Sequence, residues 1–155
     1  MNINEILTRS AALEEKLTNF FDLKPYDNSD RIRSSRIMCS VAFEHAESVK
    51  ILIATGNFTS ATGLLRLHYE ALVRAMWILY TASELSASKL MSELTHESAK
   101  KADKLPMLSE MLKNLDGKAP KKAMDKLIEF KEYSWKPLSS YVHGGIHAVI
   151  RHSRG

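Results

Sequence analysis

Nowhere in this chain of 155 residues is an alternation of apolar and polar side chains sustained, and the β-branched residues are scattered. A sheet-based fold is therefore excluded as the main architecture. There is one cysteine, Cys39, so no internal disulfide framework can form, and a reducing, cytoplasmic compartment is the simplest expectation. Cys39 falls in an apolar helical stretch and reads as a small buried hydrophobe. No basic segment followed by an apolar core opens the chain, so no secretory signal is expected. The longest apolar stretch, Ala71 to Tyr80, is broken by Arg74 and is too short to cross a bilayer, so no membrane association is expected. Also missing are a phosphate-binding glycine loop, a dinucleotide fingerprint and a nucleophile elbow, and no spacing identifies a base for serine catalysis. No cofactor is implied. The formal net charge of +4 tolerates anionic partners, but it lacks the dense Lys/Arg clustering that argues nucleic-acid binding by itself.

What remains is helix. With 45% apolar and 26% charged residues, the chain reads as one ordinary globular domain over 1–155 with a single core. Apolar residues recur at three and four almost throughout. A first helix is expected over Asn4 to Asp22, with Ile6, Leu13, Leu17, Phe20 and Phe21 as its apolar stripe. Pro25 and the run Asp27-Asn28-Ser29-Asp30 break the chain, and Ser29 or Asp30 can cap a second helix, Arg31 to Thr55. Gly56-Asn57 stops it, and Asn57 or Thr59 can cap a third helix, Phe58 to Thr81. That helix is apolar nearly all round, as a central, buried helix would be, and the short link makes it antiparallel to the second. A more polar helix over Glu84 to Ala102, a short one over Met107 to Leu115 and another over Lys121 to Tyr133 follow. Pro137 opens the last, Leu138 to Arg151. The fold class is all-α, an antiparallel bundle.

Three features could carry chemistry. Arg66, Glu70 and Arg74 are spaced by four on the central helix and form one charged ridge. Burying charge is costly unless it is paired, so the ridge is either an ion pair that fixes helix register or a polar pocket for an anion or a reacting group. His68 falls on the apolar stripe and reads as a satisfied core residue. Second, Lys136, Ser140, His143, His147, Arg151 and Arg154 share one face of the expected last helix, opposite Leu138, Tyr141, Val142, Ile146 and Val149. Imidazoles beside cations can do acid–base chemistry or bind phosphate, or the face is simply solvated. His143 and His147 stand one turn apart, a spacing that metals use, but no carboxylate is in phase and no metal is expected. Gly144-Gly145 would weaken that helix by about 1 kcal/mol per glycine, which points to close helix contact or close ligand approach. Third, eight lysines between Lys100 and Lys126 are diluted by Asp103, Glu110, Asp116 and Asp125 and read as a solvated surface.

Two stretches bring a family to mind. Leu64-Leu65-Arg66-Leu67-His68-Tyr69-Glu70 resembles the central helix of bacterial HEPN-like proteins, where an Arg and a Glu stand one turn apart. Ser139-Ser140-Tyr141-Val142-His143-Gly144-Gly145 resembles their late, histidine-bearing helix. The resemblance covers about Arg31 to Arg151. It implies a four- to five-helix bundle that is often a homodimer, with further C-terminal helix in longer relatives. Many of these proteins are metal-independent ribonucleases of toxin–antitoxin and phage-defence systems, with an Arg placed four to six residues before a His and paired across a dimer. Here the nearest counterpart is Lys136 before His143, and Lys lacks the planar fork of Arg. On this resemblance His143, Arg66 and Glu70 are the expected catalytic group, and Lys136, His147, Arg151 and Arg74 are the expected substrate contacts. RNA or a nucleotide would be the substrate. The alternatives are a non-catalytic helical module for a protein partner, antitoxin-like or regulatory, and a binder of small anions.

Overall fold

The computed structural model describes residues 2–154 and is entirely helical over them. Its elements are α1 (Ile3–Phe21), α2 (Asp30–Ala54), α3 (Phe58–Tyr80), α4 (Glu84–Leu90), α5 (His96–Ala102), α6 (Leu108–Leu115), α7 (Lys121–Val142) and α8 (Ile146–Ser153). No helix is long and apolar enough to cross a membrane.

The centre is α3, as its apolar circumference requires. Tyr69, Val73, Trp77 and Ile78 bury against Met111, Leu112 and Leu115 of α6, Met124 of α7 and Ala87 of α4. On the other side α2 runs antiparallel to α3. The Ser35 hydroxyl donates to the Ala75 carbonyl at 2.9 Å, and His68 Nδ1 lies 2.7 Å from the Ala42 carbonyl. His68 is thus a satisfied, half-buried residue. Helix α7 also crosses α3 antiparallel, since Tyr69 stacks on Phe130 at 4.9 Å and donates its hydroxyl to the Leu127 carbonyl at 2.8 Å.

Local chemistry sets most boundaries. Ser29, rather than Asp30, caps α2 by accepting from the Ile32 amide. Ser83 caps α4. Asn57 stands at the start of α3, but its side-chain amide turns back to Thr55, so no side chain caps α3. The single helix expected over Glu84 to Ala102 is instead two. Thr95 and Ser98 form a capping box that restarts the chain as α5, which ends α4 near Leu90.

Two expectations are corrected more deeply. Pro137 does not open the last helix; it lies inside α7. Proline there removes one helical hydrogen bond and disfavours the helix by about 3 kcal/mol. Burial of Leu138 and the seating of Trp135 beside α3 offset this. The helix really ends at His143, so Lys136 and Ser140 belong to α7, His147 and Arg151 to α8, and the six-residue face does not exist. Helix α1, in turn, buries no residue. Leu13 is 56% exposed and Phe20 64%, so the expected core stripe faces largely outward. The helix is held at one edge. Phe21 meets Phe43 edge-on, Lys50 pairs with Glu14, and Arg36 donates to the carbonyls of Phe21 and Leu23 at 2.7 Å each.

Burial makes these differences measurable. Leu115→Ala, at a fully buried site, should destabilise the protein by about 2–5 kcal/mol in urea unfolding, while Leu17→Ala on α1 should change little. Burial also pushes the Tyr69 hydroxyl up to about 12 from its ordinary value near 10. Its contribution to stability is therefore complete below pH 10 and is lost as pH rises towards 12. Unfolding free energies measured across that range should fall less steeply in Tyr69→Phe than in wild type.

Candidate functional site

The site is built where α7 ends over α3. A charged group on a central helix needs partners, and Arg66 has three. Its Nε donates to Glu70 Oε1 at 2.8 Å, one turn along α3. Its guanidinium lies over the Trp135 ring, 4.5 Å from the centroid. Its Nη1 stands 3.2 Å from His143 Nε2. A guanidinium only donates, so His143 Nε2 is the acceptor in this contact. Glu70 fixes the plane of the fork and Trp135 supports its face.

His143 reaches Arg66 because of the bend that follows it. It is the C-cap of α7, its amide donating to the Ser139 carbonyl at 3.0 Å. Gly144 takes a φ of +65°, a left-handed conformation in which a side chain is strained. At Gly145 an added Cβ would overlap the Ser140 hydroxyl. That hydroxyl accepts from the His147 amide at 3.2 Å, so Ser140 supplies the cap that Gly145 cannot give to α8. The His143 to Gly145 stretch is thus a turn, braced by Ser140, that parks His143 at the end of α7 and starts α8 in a new direction.

The remaining expected residues divide. Arg74 is on the same ridge but forms no ion pair with Glu70; it lines a groove beside Arg66, Glu70 and Trp135. Arg151 lies over the Phe58 ring at 4.6 Å and borders a hollow of about 210 Å³ at the start of α3, away from His143. His147 is exposed, its ring 6.2 Å from that of Tyr141. Lys136 is exposed on α7 and joins neither group. Among the described residues, no three His, Cys, Asp or Glu side chains are grouped to hold a metal ion. Trp135 was not expected here. Ending the helix at Tyr133 hid it, and a tryptophan two residues before a proline carries no signal of what it will face.

Fold and centre together define an all-helical protein whose polar site is shared by its central helix and a late helical bend. The chain belongs to DUF6988, a family of unknown function, whose match covers residues 39–155 and so includes every site residue above. No curated protein and no solved structure matches it.

The bend is testable by itself. Gly145→Ala should lower stability by about 1–3 kcal/mol, as overpacking does, and should shift the His143 ring resonances in NMR spectra. Unchanged resonances would show that the bend does not place His143.

Proposed function

We propose that the protein is a HEPN-like, RNA- or nucleotide-acting component of a bacterial defence or toxin system, working in the cytoplasm as a metal-independent ribonuclease. The observation that carries this reading is the 3.2 Å contact between Arg66 and His143, with Glu70 on the other side of the guanidinium. The motif resemblance supports it, and so does the exposed position of His143, which leaves the imidazole open to a substrate.

In the proposed reaction a substrate phosphate takes the Arg66 Nη1 contact from His143. The freed Nε2 lone pair accepts the proton of a ribose 2′-hydroxyl. The 2′-oxygen attacks phosphorus, and the bond to the 5′-oxygen breaks. That oxygen takes a proton from an imidazolium, so that a 2′,3′-cyclic phosphate and a 5′-hydroxyl form. Arg66 balances the charge that develops on the phosphoryl oxygens, and Glu70 and Trp135 are positioning residues for it. Arg74, Lys136, His147 and Arg151 contribute cationic contacts along a longer RNA. A homodimer would form through the apolar residues at the end of α7 and on α8, where Val142, Ile146 and Val149 are 42%, 66% and 62% exposed. It would bring a second His143 to serve as the acid.

The test is RNA incubated with purified protein in EDTA. His143→Ala should lower cleavage by about 100-fold or more, the usual range for a lost acid–base group. Equal cleavage by variant and wild type, or none by either, would sink the catalytic reading. In the latter case the outward apolar stripe of α1 favours the alternative, a helical module that docks a protein partner.

A further inference from the structure

A second opening lies apart from His143: a groove of about 540 Å³ between α3, α7 and the segment that joins α5 to α6. That volume is in the range of small-molecule sites. Its lining is divided by chemistry. One part is cationic: Arg74 from α3 and Lys131 from α7 both reach it, and both are half-buried. Neither makes an ion pair or a hydrogen bond with another described residue, whereas the nearby Arg66 charge is balanced by Glu70. The one further carboxylate on the groove, Asp103, is exposed and pairs with neither cation. The other part is apolar: Leu105, Met107 and Leu108 form a lip, and Met107 is left 79% exposed.

Two unpaired, half-buried cations are incompletely solvated and unneutralised, which favours an anion between them. A lip of exposed and half-buried aliphatic groups favours an apolar body, and methionine adapts its shape to one. We propose that this groove binds a single-headed amphipathic anion, its phosphate or carboxylate head between Arg74 and Lys131 and its apolar body along Leu105, Met107 and Leu108. The groove shares Arg66, Glu70, Arg74 and Trp135 with the proposed RNA site but not its acid–base group. His143 touches Arg66 from outside the groove and does not line it.

Trp135 lines the groove and Trp77 is buried elsewhere, so tryptophan emission reports on occupancy. Wild-type protein is titrated with decyl phosphate and with decanoate below their micelle concentrations. A saturable change with either supports the site, and the stronger of the two identifies the head group. Inorganic phosphate and decanol, each supplying half of the ligand, should bind at least about tenfold more weakly. Arg74→Glu combined with Lys131→Glu should weaken binding about tenfold or more, the loss expected for a charge-assisted hydrogen bond. Met107→Glu, at a side chain left 79% exposed, should weaken it as well. His143→Ala should leave it unchanged while abolishing RNA cleavage, so the two readings can fail independently. No saturable change with either amphiphile would overturn the proposal. So would equal affinity for inorganic phosphate or decanol, unaltered binding in both groove variants, or loss of binding in His143→Ala.

Discussion

The guanidinium of Arg66 is the constraint around which the polar half of this molecule is arranged. A permanent charge on a helix that packs on nearly every side cannot be left to the core, and it cannot be neutralised by losing a proton. Glu70 answers it along α3, Trp135 from α7, and His143 from the bend beyond α7. Each partner comes from a different part of the chain. Helix α7 must therefore continue past Pro137 to bring Trp135 and His143 over α3, and it must stop where it does to leave the imidazole at its end. A charge on α3 thus bears on the path of residues seventy positions later.

The helical skeleton could be read from the amino acids because its signals are local. Apolar recurrence places α2 and α3 to within a residue or so, and Ser29 announces the start it caps. The Arg66–Glu70 pair could also be read, since helical spacing alone brings the two together. Errors arose where tertiary packing outweighed a local rule. Pro137 reads as a helix boundary, yet contacts with α3 carry α7 through it. The stripe of α1 reads as core, yet only its edge finds a partner. The two glycines were noticed, but their purpose was not. They end a helix, and Ser140 supplies the cap missing from the next one. The groove of Arg74 and Lys131 is not legible in the sequence, because its walls come from three separate parts of the chain.

The charged ridge consequently has two outlets. On one side Arg66 presents His143 to the surface; on the other, Arg74 faces an amphipathic groove. Glu70 and Trp135 border both. Arg66 is the common wall.

The order in which the chain is made gives the Gly144–Gly145 bend another significance. Arg66 and Glu70 need only α3 to meet, but the imidazole that completes the centre lies 77 residues after Arg66. Closing such a distance requires that most of the chain already be arranged, and loop closure is entropically unfavourable until it is. A growing chain therefore always possesses the guanidinium before it possesses the histidine.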